Sequence, residues 1–293
     1  MAVVADGAVP LPGVAAGGMR RIFSVPTSRT TVLNWAGFSL LFVVTLVALA
    51  VPLLSPYDPL VPAGMPLQAP GADGFLLGTD NIGRDILSRV LYGVQSSWFA
   101  ALAVVALGLL IGGLVGLIAG TTGGWVDAVL MRITDGFLSL PAPVLAIAVV
   151  AAMGPGFFHT LIAVSIVWWP FYARLVRGEV ARLAARPHVE AAKLAGVGRF
   201  RLAFRHLLPG AVPNALVAAS LDIGTLILTL AALSFLGLGQ SAPAPELGAD
   251  AARNLSYFLQ QWWIPVMPGL GVLVLALIGN IAGDSLRNLM KTS

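Results

Sequence analysis

The side chains that could do chemistry are few, and their spacing excludes most reactions. The chain has no cysteine, so it holds neither a disulfide nor a thiolate-bound metal. His159, His188 and His206 lie far apart, without the short spacing by which histidines share a metal ion. A phosphate-cradling loop needs Gly-Lys followed by Ser or Thr. Lys193 and Lys291 are the only lysines, and they follow Ala192 and Met290. No Gly-x-Ser-x-Gly elbow presents a nucleophile. No catalytic group, cofactor site or metal site is expected in this chain. Two features remain: an acid, Asp222, well inside a long apolar run, and a basic stretch, "EAAKLAGVGRFRLAFRHLLPG", from Glu190 to Gly210.

Asp222 has two readings. An ionisable group inside a membrane is costly and is by default a functional candidate. It would then line a pathway or couple to protons, with Thr225 and Thr229 farther along the same run as further pathway candidates. The other reading is structural: a carboxyl bonded to a neighbouring helix, or one near the cytoplasmic interface.

The elements that position these residues are membrane spans. Charged residues are 10% of the chain, hydrophobic ones 58%, and the mean hydropathy is +0.90. Soluble domains carry about 25% charged residues, so the composition predicts an all-α integral membrane protein. A cytoplasmic leader over residues 1–31 precedes a first span at residues 32–54. A signal peptide would share the basic start and the Ala48-Leu49-Ala50 pattern, but the apolar run exceeds a signal core. Residues 55–95 form an outer loop. Its proline-rich first half excludes regular helix. Its second half, "LGTDNIGRDILSRVLYG", reads as a short amphipathic helix capped by Thr79 or Asp80. A core region, residues 96–285, holds spans near 96–120, 131–153, 157–176, 209–239 and 262–282, making six in all. Residues 286–293 form a cytoplasmic tail. Gly108, Gly112, Gly116 and Gly120 put a smooth ridge on the second span, for tight packing or for sliding. Pro141, Pro143 and Pro170 lie inside predicted spans as tolerated kinks.

Basic residues fix the orientation. With both termini in the cytoplasm, fourteen of the seventeen Lys and Arg residues face inward; only Arg84, Arg89 and Arg253 face outward. The net charge of +4 is therefore a topology signal rather than a sign of nucleic-acid binding.

The basic stretch falls inside, and its pattern is mechanical. Pro187 suits a first helical turn. Gly196 is placed for a left-handed cap. Phe200, Ala203, Phe204 and Leu207 then recur with helical spacing, with Arg201 and Arg205 on another face. Residues 187–209 thus read as two short helices with a sharp bend, tied to a span at each end. The bland alternative is a charged loop that touches anionic lipid. An apolar stripe on a cytoplasmic hairpin favours protein docking.

The stretch resembles the cytoplasmic EAA motif in permease subunits of bacterial ABC importers, through Glu190, Ala191, Ala192, Gly196, Leu208 and Pro209. The rest is similar to the C-type permeases of the dipeptide, oligopeptide and nickel group. The matching pieces are "LSPYDP", "LGTDNIGRDILSRVLYG", "GGWVDAVLMRITD", "WWPFYARLVRGEV", "LSFLGLG" and "GDSLRN", in family order. Gly210 replaces the usual Asn after Leu-Pro. Leu230 stands where Glu is common, and Leu247-Gly248 where Trp-Gly is common. The resemblance implies a type I ABC importer permease fold in a bacterial inner membrane, a sister permease as heterodimer partner, two cytoplasmic ATPase subunits carrying ATP and Mg, and an extracytoplasmic substrate-binding protein. It implies docking of residues 187–209 on an ATPase, and peptides as the first substrate class, with nickel chelates or other peptide-like solutes behind them. The rival expectation is a secondary, ion-coupled transporter using Asp222; it requires an internal repeat, which the sequence does not display.

Overall fold

The structure, a computed structural model, describes residues 28–292. The leader expected over residues 1–31, with Arg20 and Arg21, lies outside the described residues up to residue 27. Helix α1 (Ser28–Leu54) carries the first apolar stretch, Ser39–Leu54. Val44, Ala48 and Val51 face inward. The Trp98 indole donates to Thr45 Oγ1 (3.1 Å), and Gln95 Nε2 donates to the Ala48 carbonyl (2.8 Å).

Helix α2 (Ile86–Thr122) begins ten residues before the expected second span. The separate amphipathic helix expected over "LGTDNIGRDILSRVLYG" does not form. Its first part is loop, and its second part is the start of α2. Asp85 is the cap, rather than Thr79 or Asp80: its carboxylate accepts from the Ser88 backbone N–H (2.8 Å) and the Ser88 hydroxyl (2.6 Å). Thr79 instead donates to the Met65 carbonyl (2.6 Å), and Asp80 accepts from the Arg84 side chain (2.6 Å).

The third span is broken rather than continuous. Helices α3 (Gly124–Leu138) and α4 (Ala142–Met153) meet at 88°. Pro141 explains the break, because its ring disfavours helical geometry at Leu140. Twelve residues of α4 rise about 18 Å, short of the roughly 30 Å hydrocarbon core. Helix α3 crosses the inner end of α5 (Phe157–Ala184), where Asp127 and Asp135 pair with Arg177 and Arg174. Pro170 sits within α5 without interrupting it.

After α6 (Pro187–Leu194), one helix runs continuously from Arg199 to Phe235: α7 (Arg199–Leu202), a π turn (Ala203–Leu207), then α8 (Leu208–Phe235). The second of the two expected short helices is therefore the lower end of a span. Pro209 lacks the N–H that would bond the Arg205 carbonyl. The register widens there, with the Leu208 N–H reaching Ala203. Helix α9 (Leu247–Arg253) tucks the outer segment against α8 and α10 (Trp263–Thr292). Among the described residues, four helices are long and apolar enough to cross a membrane: α2, α5, Arg199–Phe235 and α10. The bent pair, taken as one, makes a fifth; the apolar part of α1, Ser39–Leu54, is shorter, so the described residues show up to five of the six spans expected.

The α2–α5 contact is the most extensive between helices among the described residues. A methyl on Gly112 would overlap the Trp169 carbonyl, and one on Gly116 the Ala173 carbonyl. On Gly120 it would lie 2.7 Å from Val180 Cγ1. The glycine ridge therefore seats α5, the helix that leads into the basic segment.

Candidate coupling surface and membrane-centre acid

The basic segment begins where α5 ends. Pro187 occupies the first turn of α6, where its missing N–H leaves no bond unmade. Gly196 closes the helix at φ 80°. The Gly196 N–H bonds the Lys193 carbonyl (3.0 Å) and the Val197 N–H bonds Ala192 (3.1 Å), a Schellman closure. The chain then turns into α7.

The segment has two faces. Val189, Leu202, Ala203 and Leu207 are buried against Val176, Val180 and Leu183 of α5 and Ala211 of α8. Burying each large apolar side chain contributes about 1.5–3 kcal/mol, so the hairpin is clamped to both spans. The opposite face is bare. Leu194 is 90% exposed and Phe200 77%. Glu190, Ala191, Arg201 and Arg205 are exposed too. Phe200 and Phe204 stack with ring centroids 4.6 Å apart. The expected stripe is thus split: Ala203 and Leu207 hold the segment down, while Phe200 and Phe204 face out. Ala192 and Leu208 are half-buried between the faces, and Pro209 is exposed.

Asp222 sits midway along α8, half-buried. The Tyr172 hydroxyl donates to its Oδ2 (2.8 Å), and the Trp168 indole N–H donates to the same oxygen (3.3 Å). The acid therefore has partners on α5, and the structural reading gains its neighbouring helix. Tyr172 is fully buried, with its ring against Gly108 of the ridge. Thr225 is exposed one turn on, and the half-buried Thr229 bonds back to the Thr225 carbonyl (2.8 Å).

Residues 112–292 match the family described as binding-protein-dependent transport system inner membrane component. The chain is 45% identical over 213 residues to the probable D,D-dipeptide transport system permease protein DdpC of Escherichia coli (strain K12), covering 73% of this chain and 72% of that one. It is 40% identical over 258 residues to the di/tripeptide transport system permease protein DppC of Pseudomonas aeruginosa (strain UCBPP-PA14), covering 86% and 85%. The chain belongs to this family of transport permeases. A solved structure of the inward-facing MetNI methionine ABC transporter superposes with a TM-score of 0.55 at 20% identity, over 70% of this chain and 96% of that one. That likeness supports the shared fold, the type I ABC importer permease fold.

The permease is thus a multi-pass protein of the bacterial inner membrane and a pore-forming subunit of an ABC importer, and it works in a complex with other subunits. An ion-coupled carrier is not favoured. The permease also carries an outer latch that sequence reasoning missed. Arg89, 4% exposed, makes paired bonds to Asp250 (3.1 and 2.6 Å) and donates to the Pro59 (2.9 Å) and Pro243 (3.2 Å) carbonyls. One side chain therefore ties the first outer loop, α2 and α9 together. The two outer segments were both placed outside by the charge count, and that shared side was the available signal. Above the latch, the buried Glu246 caps α9, accepting from the Gly248 (3.3 Å) and Ala249 (2.9 Å) N–H groups. Burial pushes its carboxyl above the ordinary value, while the Ala249 and Gly248 N–H groups and the Ser234 hydroxyl pull the other way and Asp250 adds a further rise.

Proposed function

We propose that this permease imports short peptides as one half of a heterodimeric pore, and that its basic hairpin receives work from an ATPase subunit. The carrying observation is the two-faced hairpin: an exposed surface around Glu190, Leu194, Phe200 and Phe204, clamped from beneath to α5 and α8. A rigid lever of this kind transmits motion to both spans when its outer face is gripped. The chain has no Gly-Lys-Ser/Thr loop, so ATP and Mg would be held by two cytoplasmic ATPase subunits. A sister permease would complete the pore, and an extracytoplasmic binding protein would deliver cargo to the outer segments. Closure of the ATPases would bias two arrangements of the spans, which is all that alternating access requires. The peptide cargo is supported by relatives named for dipeptide, di/tripeptide and glutathione transport.

The test is to purify the chain with its co-expressed neighbours, reconstitute it with the binding protein, and follow uptake of Ala-Phe. Uptake should require ATP and survive collapse of the proton gradient. Gly196→Val forces a β-branched residue into a left-handed conformation, at a cost of about 1–3 kcal/mol. It should lower uptake while the complex still hydrolyses ATP. Uptake that ignores ATP but follows the proton gradient would overturn the reading.

A further inference from the structure

The inner half of the bundle carries an apolar groove of about 390 Å³ between α2, α5 and α8. Leu109, Gly113, Leu117, Ala211 and Leu216 stand in its walls, and no polar side chain lines it. A second cleft, of about 370 Å³, continues it toward the hairpin, for Leu114 and Leu117 belong to both walls. There the lining changes. Thr121, Thr122 and Arg199 enter the wall beside Phe200 and Phe204. The two threonine hydroxyls donate to carbonyls of their own helix, at Leu117 and Ile118 (2.7 Å each). That leaves Arg199 as the donor at this mouth. On α5, Arg174, Arg177 and Arg182 are paired with Asp135, Asp127 and Glu179, whereas among the described residues no carboxylate pairs with Arg199.

The dimensions point to one kind of occupant. On α2 the groove runs from Ala106 to Thr122, a rise of about 24 Å. Half a bilayer with its headgroup region is about 20–22 Å thick. Trp125, exposed just past the end of α2, marks the level of the interface. The groove is therefore one leaflet deep, dry along the hydrocarbon and cationic at the headgroup end. A partner helix crossing the bilayer would need a groove of about 30 Å, and its apolar side chains would leave Arg199 without a counter-charge. A ligand with an apolar chain and an anionic head satisfies both ends. Arginine grips a phosphate through two parallel N–H bonds. A headgroup with no ammonium of its own gains most, because Arg201 and Arg205 add positive charge within the same short segment.

We infer that this groove is a binding site for an anionic phospholipid of the inner leaflet: one acyl chain lies between α2 and α8, and the phosphate pairs with Arg199 at the root of the hairpin. Gly113 keeps the slot open, since even a methyl there meets nothing within 4 Å. The headgroup lies beside Phe200 and Phe204, at the edge of the hairpin's exposed face. The site depends neither on the cargo nor on the ATPase docking proposed above.

The experiment uses the assembled complex in phosphatidylcholine nanodiscs that carry a little phosphatidylglycerol with a diazirine in its acyl chain. After illumination, mass spectrometry locates the label. Peptides covering Ala106–Leu117 and Leu208–Leu216 should be labelled, and the same diazirine on phosphatidylcholine should label them about fivefold less. Arg199→Gln should lower the phosphatidylglycerol label about fivefold, the effect of one basic residue at an anionic lipid surface. Gly113→Leu fills the slot with a good helix former and should remove the label from both peptides. Arg199 is exposed, so its variant reads the site even if Gly113→Leu folds poorly. Equal labelling by the two lipids would reveal unselective boundary lipid and overturn the inference. Wild-type complex that takes no label on these peptides would mean that a sister-permease helix covers the groove, which overturns it as well. So does an Arg199→Gln complex labelled within about twofold of wild type.

Discussion

Glu246 shows how one buried side chain can make the outer face sensitive to pH. It caps α9 and lines a cavity of about 20 Å³ with Ser96, Ser97, Thr160 and Ser234. That volume suits a single water with several polar partners. An unfolded glutamate titrates near its reference value of about 4.3, and burial raises the folded value above that. The stability linked to this group is therefore complete below the unfolded value and is lost as pH rises through the folded one. Glu246→Gln keeps an acceptor for the α9 cap but cannot titrate. The difference in Tm, variant minus wild type, should climb in favour of the variant as pH rises above the unfolded value of about 4.3. Thermal unfolding in detergent at several pH values reads this directly, and a difference that stays flat refutes the linkage. Asp222 makes a complementary point. Its place in a span is visible in the sequence, but its partners Trp168 and Tyr172 are about fifty residues earlier, and periodicity within one helix says nothing about which face another helix presents.

At the scale of elements, the glycine ridge of α2 gives a test with an internal control. Gly112 and Gly113 are neighbours on one helix, yet a methyl at Gly112 would meet the Trp169 carbonyl while one at Gly113 meets nothing within 4 Å. Gly112→Ala should destabilise the fold by about 1–3 kcal/mol, the usual effect of overpacking. Gly113→Ala should be neutral or stabilising by up to about 1 kcal/mol, because alanine is the better helix former. Equal Tm values for the two variants would mean that the ridge does not set the α2–α5 distance. The ridge was legible from its four-residue repeat; its partner was not. The early start of α2 was hidden for a different reason. Asp85, Ser88 and Arg89 read as polar residues of a separate amphipathic helix, but all three are buried because Asp85 caps α2 and Asp250 neutralises Arg89. The break between α3 and α4 was marked by Pro141 and Pro143, which the hydropathy pattern alone smooths into one span.

For the whole molecule, the question is whether force enters through the hairpin and leaves through α5 and α8. The hairpin's existence and its Gly196 closure were readable from residue types. Its continuity with α8 and the split of the apolar stripe were not, since a π turn shifts the register at the very residues over which helical spacing is being counted. That split separates two functions on adjacent residues. Phe200 faces out, whereas Leu202 is buried with Val180 and Leu183. Phe200→Glu should leave the chain inserted and its stability within about 0.5 kcal/mol of wild type, as for other exposed positions. It should still reduce recovery of ATPase subunits with the tagged chain. Leu202→Asp places an unpaired charge in the clamp and should destabilise the inner end of the bundle by about 3 kcal/mol or more. Its ATPase recovery should fall together with its Tm, whereas the two readouts separate in Phe200→Glu. Size-exclusion profiles, thermal unfolding and pull-down yields of both variants decide the matter. If Phe200→Glu recovers the ATPase subunits as wild type does, the exposed aromatic pair is not the gripped surface, and transmission must enter elsewhere on the inner face.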